Sequence, residues 1–211
     1  MSSNNGRNIT IAIQVLRKTY ENLNRLFSEM DRAAEEEGFV PLTTKFLRWK
    51  SDAQTDGWLS SNFIKLYQKA SDPLYSSQDG RSVFQDTELR AGSVYGVEID
   101  LADEEERNYP TITVFQNQYQ LSEWPRLPQI SDHWIFYYPL HVSDCFTYTK
   151  MEQDRDLWTH TATAKGKKKY WGIVEGTLEI ISLTSVFDYP SVKKEIFERM
   201  NSLGARTSDT R

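Results

Sequence analysis

One repeat constrains this chain more than any other feature. Ile9, Ile13, Leu16, Tyr20, Leu23, Phe27, Met30 and Ala34 are spaced alternately four and three residues apart, and every one is apolar. Such spacing places all eight side chains on one stripe of an α-helix, the a/d seam of a heptad repeat. Ala12, Leu26 and Ala33 widen the stripe, and Arg17, Lys18, Glu21, Asn24, Arg25, Glu29, Asp31 and Arg32 occupy the other faces. Asn8 suits an N-cap, Gly38 a C′ position and Pro41 a stop, so a helix is expected over residues 8–37. At 1.5 Å per residue it would be about 45 Å long, enough to cross a whole domain or to project from one. A competing local pattern, the alternation of Ile9, Ile11 and Ile13, would suit a short strand.

Beyond the helix the periodicity changes. Phe46 to Trp49 suggests a short strand. Phe63, Ile64, Leu66 and Tyr67 suggest a short helix over residues 61–70, ended by Pro73. The polar stretch Ser76 to Gly80 reads as a loop. From residue 92 to 183 the period is two. Val97, Ile99 and Leu101 alternate with polar neighbours, as do Ile112 and Val114. Trp134 to Tyr138 reads as a central strand closed by Pro139. Strands through Phe146 and Tyr148, and through Trp158 to Ala164, lead to a turn at Lys165-Gly166-Lys167. Lys169, Trp171 and Ile173 follow, then a turn at Glu175-Gly176 and a last strand through Leu178 and Ile180. Turns this short imply antiparallel neighbours. Val97, Ile99, Ile112, Val114, Ile135, Trp171 and Ile173 are the expected sheet core. Val192, Ile196, Met200 and Leu203 make one face of a helix over residues 190–203, opened by Pro190 and capped by Gly204. A polar tail over 205–211 is expected to be disordered. The fold class is therefore α+β: a long N-terminal amphipathic helix, an antiparallel meander of five to seven strands and a C-terminal helix packed on the sheet, in a single domain over 1–211.

The charge balance bears on partners. Thirty acidic against twenty-five basic residues give a net charge of −5, which argues against a surface wholly devoted to nucleic acid but allows a local basic patch. Cys145 is the only cysteine, so no intramolecular disulfide and no cysteine zinc site can form, which fits a reducing compartment. The opening residues do not resemble a signal peptide, and no run is long and apolar enough to span a membrane; a cytoplasmic protein is expected.

Candidate sites are few. Glu98 and Asp100, two apart on one strand face and followed by Asp103 to Glu106, could share a divalent cation; a solvated sheet face running into an acidic turn accounts for them better. Glu98 and Asp100 lack the lysine that a nuclease-type Glu-x-Lys strand would supply. His141, Asp144 and Cys145 are neighbours, yet the small residues that surround a cysteine nucleophile are missing, and Cys145 reads as a small buried hydrophobe. His133 and His160 stand alone and read as structural. Lys165, Lys167, Lys168 and Lys169 beside Trp171 could contact phosphates and bases, or simply keep a hairpin end soluble. Trp124-Pro125-Arg126-Leu127-Pro128 has PxxP spacing but suits a stiff loop. No glycine-rich phosphate loop, HExxH or GxSxG occurs, and no cofactor is expected.

Two function classes follow. One is a non-enzymatic binding or regulatory module that forms a homodimer through Ile13, Leu16, Tyr20, Leu23, Phe27 and Met30 and engages a protein partner. The other is an enzyme or nucleic-acid-processing factor using the acidic strand at 98–106 or the lysines at 165–169. The seam, as the strongest periodic signal, favours the first; a convergent His–carboxylate pair would favour the second.

Overall fold

The computed structural model describes residues 3–53, 55–76, 84, 87–102, 109–141 and 143–208. Helix α1 runs from Ser3 to Glu36, 34 residues or about 51 Å. It begins five residues before Asn8, which therefore does not cap it. The apolar seam marks where packing can start, and a helix end without cover has no packing boundary to stop it earlier. Gly38 ends α1 as expected, with φ +75°.

The sheet has eight strands, all antiparallel: β1 (Phe39–Pro41), β2 (Leu47–Arg48), β3 (Asn62–Lys69), β4 (Val94–Asp100), β5 (Thr111–Tyr119), β6 (Phe146–Lys150), β7 (Leu157–Ala162) and β8 (Ile173–Ser182). Their order is β1-β3-β4-β5-β8-β7-β6, with β2 pairing β3 beside β1. The path is not a simple meander, because β8 returns to pair with β5 and carries β7 and β6 outside it.

Four local expectations fail, each for a physical reason. The segment read as a helix over 61–70 is β3, buried on both faces; Lys65, buried against Asp31 of α1, interrupts the apolar residues and leaves Phe63, Ile64, Leu66 and Tyr67 at helix-like spacing. Trp134 to Tyr138 are misplaced because a short continuous apolar run has no period to separate helix from strand: Trp134 to Tyr137 belong to helix α2 (His133–Tyr137), and Tyr138 opens the 3-10 turn that follows. A turn in which the amide of Gln129 donates to Asp132 Oδ2 at 2.7 Å leads into α2. The lysines at 165–169 lie on helix α3 (Ala164–Lys169), whose N-cap Thr163 accepts from the amide of Gly166 at 3.2 Å, so no hairpin forms there. Glu175-Gly176 lies inside β8, where Gly176 pairs with Asn117 and His160.

Gly166, Gly176 and Gly204 were all expected to punctuate the chain. Instead each sits inside an element, at a place where the backbone passes too close to a neighbour for a side chain. A Cβ there would fall 2.3 Å from the Cys145 carbonyl oxygen, 2.0 Å from Asn117 Oδ1 and 2.5 Å from Tyr95 Oη respectively. The C-terminal helix accordingly runs on past Gly204: α4 (Tyr189–Val192), a π-helical stretch (Lys193–Glu198) and α5 (Arg199–Ser208). Residues 205–208 of the expected tail are helical, and 209–211 lie outside the described residues.

The sheet is covered on both faces. On one, α1 and the C-terminal helices bury Phe63, Tyr67, Val97, Ile99, Ile112 and Val114 with Phe27, Met30, Ile196 and Phe197. Buried Lys65 donates to Asp31 of α1 at 3.0 Å, and buried Glu179 takes Arg155 of the β6–β7 connection and Arg199 of α5. On the other face the segment from Leu121 to Leu140 packs Trp124, Ile135 and Phe136 over Ile64, Leu66, Phe115 and Leu178. Of the expected sheet core, Val97, Ile99, Ile112, Val114, Ile135 and Ile173 are buried. Trp171 is half-buried, in a left-handed turn (φ 50°) that leads into β8.

Candidate functional site

The heptad seam of α1 divides into two environments. Leu23, Phe27 and Met30 are buried in the chain's own core, where Phe27 stacks on Phe46 at 4.7 Å. Tyr20 sits at the border, its hydroxyl donating to the Ser60 carbonyl at 2.9 Å. N-terminal to Tyr20 the body gives the helix little cover. Ile9, Ile11, Ile13 and Val15 are 46–59% exposed. At 100° per residue, Ile9 and Ile13 continue the seam with Leu16 and Tyr20, whereas Ile11 and Val15 point the opposite way. An open apolar hollow lies at the foot of this segment, lined by Ile13, Leu16, Tyr20 and Leu59 and flanked by Arg17 and Glu21. Of the self-association residues expected from the sequence, Ile13 and Leu16 thus reach the surface, and Leu23, Phe27 and Met30 do not.

A second feature is a buried polar chain beneath the Leu121–Leu140 cover. Glu98 is 1% exposed. One of its oxygens accepts from Asn62 Nδ2 at 2.6 Å and lies 2.9 Å from His141 Nε2. The other end of the Asn62 amide, Oδ1, is 2.5 Å from His133 Nε2. Tyr137 stacks between the two imidazoles, 5.2 Å from His133 and 4.0 Å from His141. Their spacing, four residues on either side of Tyr137, follows from α2 and the turn after it. Burial pushes the Glu98 carboxyl upward, but His141, the Asn62 hydrogen bond and His133 outweigh it, leaving Glu98 below the usual range. Burial lowers His133 to about 4 despite nearby Glu98, so it is neutral near pH 7.

On sequence, Glu98 is a weak metal-pair candidate with Asp100, and a pairing of His141 with Cys145 is considered and disfavoured. The structure joins Glu98 to His141 instead. Asp100 ends its strand by accepting from the amide of Ala102 at 2.8 Å, and buried Cys145 donates to Asp144 at 3.5 Å. Asp103 to Glu106 lie outside the described residues. Among the described residues no group of three or more His, Cys, Asp or Glu side chains is set to hold a metal ion. The Glu98–His141 link spans 43 positions, and nothing in local spacing announces it.

The α3 lysines are partly engaged. Lys165 pairs with Asp144 at 2.5 Å, and Lys169 lies over the rings of Tyr138 and Tyr170 at 5.5 and 5.1 Å. Lys168 is exposed and Lys167 half-buried. The Trp171 ring packs on Trp124 at 5.6 Å and on Phe136, with Arg126 above it, and takes no part in a surface with these lysines. No helix among the described residues is long and apolar enough to cross a membrane. No protein-family model matches this sequence, and comparison with curated proteins and with solved structures finds no match to either.

Proposed function

We propose that this chain is a binding module that self-associates through the first half of α1. The observation that carries this reading is the exposure of Ile9, Ile11, Ile13 and Val15 on a helix otherwise anchored in a well-packed core. The surface is self-complementary. If two copies of α1 lie antiparallel with Ile13 opposite Leu16 of the other copy, Ile9 falls opposite Tyr20. Every exposed seam residue then meets a seam residue, as a two-fold interface requires. The β-branched run Ile9, Thr10, Ile11, Ile13 and Val15 also has modest helix propensity, so packing against a second helix would supply what propensity does not. Ile11 and Val15 stay outside this seam and are free to engage a protein partner.

Sedimentation velocity tests the reading. The full chain is expected to be a dimer at tens of micromolar, and Ile9→Glu with Ile13→Glu is expected to give a folded monomer. Ile11→Glu with Val15→Glu should leave the dimer intact. A wild-type chain that stays monomeric at high micromolar concentration would end the proposal.

The Glu98–His141 pair favours a second reading, an acid–base catalyst. A carboxylate on one imidazole nitrogen orients the ring for proton transfer at the other. Glu98 is closed to substrate, so His141, 22% exposed, is the group that would react. That reading requires turnover of some substrate that His141→Gln abolishes and His160→Gln does not.

A further inference from the structure

We infer that the ribbon around β2, together with Trp58, is a docking site for single-stranded nucleic acid. The ribbon is held from below. Leu47 is fully buried, and Phe46 packs on Phe27 and Phe63 with ring centroids 4.7 and 5.3 Å away. With those two side chains anchored, Lys45, Arg48, Trp49 and Lys50 are left exposed.

Two clefts flank the ribbon. One, of about 600 Å³, is lined by Lys45, Arg48, Trp49 and Lys50 on one side and by Gln129 and Ile130 on the other. The second, of about 430 Å³, shares Arg48 and Lys50 and is closed by Tyr20, Phe46 and Trp58. Among the described residues neither cleft has an acidic lining residue, and exposed Asp52 lines neither. Among the described residues Lys45, Arg48 and Lys50 have no ion-pair partner. Elsewhere in this net-acidic chain Lys65, Arg126, Arg155, Lys193 and Arg199 are each tied to carboxylates. Unneutralised cations are thus gathered beside two indoles that are 41% (Trp49) and 70% (Trp58) exposed.

That combination selects a ligand class. Unpaired cations attract a phosphate chain, and exposed ring faces accept stacked bases whatever their identity. Inorganic phosphate or an acidic peptide would use the cations but leave the two indoles without a purpose. Extended, the stretch from Lys45 to Lys50 spans roughly 16 Å, room for a few nucleotides. Duplex DNA would hide its bases from the rings, so an unpaired strand is the better fit. The inference does not rest on self-association: the two surfaces meet at Tyr20, but Lys45, Arg48, Trp49, Lys50 and Trp58 line no part of the hollow beside the α1 seam.

Fluorescence anisotropy of a labelled ten-residue oligothymidylate, read against full-length protein at several salt concentrations, tests it. Binding is expected at low salt, with affinity falling by about 0.7 log units per log unit of salt for each phosphate neutralised. Arg48→Ser with Lys50→Ser should weaken binding at least tenfold and flatten that slope. Trp58→Ala should weaken it severalfold and leave the slope unchanged, because stacking releases no counterions. Arg48, Lys50 and Trp58 are exposed, and circular dichroism will verify that all variants fold. Three outcomes would overturn the inference: no binding at 50 mM salt; binding lost in Lys167→Ser with Lys168→Ser but kept in the ribbon variants; or heparin bound as tightly as the oligonucleotide with no effect of Trp58→Ala.

Discussion

His141 Nε2 stands 2.9 Å from Glu98 Oε1, so the segment covering one face of the sheet is fastened to the strand beneath it by a polar imidazole–carboxylate contact rather than by apolar packing alone. Glu98 is buried, and a buried carboxylate stripped of its partner is costly. His141→Ala is therefore expected to destabilise the fold by about 3–5 kcal/mol, and Glu98→Gln by less, since the amide can still meet Asn62. Urea unfolding measures both. A loss below about 1 kcal/mol in His141→Ala would mean that water reaches Glu98 as easily as histidine does.

The two most buried histidines make stability depend on acid. Burial lowers both His133 and His160 to about 4, whereas an unfolded histidine titrates near 6.5. Between those values the unfolded chain binds more protons, so stability must fall as pH drops through that window, by up to roughly 3 kcal/mol per histidine. Glu98, whose carboxyl lies below its usual range in the fold, adds a further loss at still lower pH, as protonation breaks its contacts. Unfolding midpoints from pH 7.5 to 4 should therefore decline steadily, and His160→Gln should flatten the decline. Constant stability across that range would contradict the burial of both rings.

Glu179 is shared. Arg155 approaches with Nε at 3.0 Å and Nη2 at 2.6 Å, and Arg199 reaches the same carboxylate from α5. Either arginine alone can keep the buried charge paired. Arg155→Ala and Arg199→Ala should each be mild, while the double variant should lose about 1–3 kcal/mol more than their sum. Additivity in a double-mutant cycle would show that the two contacts act separately.

Position along α1 should decide what a charged substitution does. Leu23→Glu places a carboxylate in the core and should unfold the chain or cost several kcal/mol. Ile13→Glu, on the exposed part of the same seam, should leave the melting temperature of the monomer within a few degrees of wild type. Equal destabilisation by both would mean that residues near Ile13 pack on the body.

The long helix, the change to period two after residue 92 and the amphipathic C-terminal helix were readable because each repeats a pattern over many residues. β3 and α2 were not: buried Lys65 breaks the apolar residues from Phe63 to Tyr67 into spacing that mimics a helix, and Trp134 to Tyr138 are apolar on every side and carry no phase. Gly166, Gly176 and Gly204 misled for another reason. Glycine marks either a bend or a near collision, and only the neighbour in space distinguishes them. The seam of α1 shows a third limit. A regular stripe states that a face must leave water and is silent about what covers it, so Leu23 and Ile13 look alike in sequence and differ completely in burial. The Glu98–His141 contact depends on which strand runs under which cover, which no local window contains.

The division of α1 has a consequence for how the chain breathes. Its hydrogen bonds are continuous from one end to the other, yet only the part following Tyr20 is bolted to the sheet. Amide protons before Leu16 should exchange with solvent through fraying of that end alone, while those near Met30 should wait for opening of the whole core. One helix would then carry two clocks. Pairing with a second copy would slow the fast one towards the slow one, so the first half of α1 can report in real time whether it has found a partner.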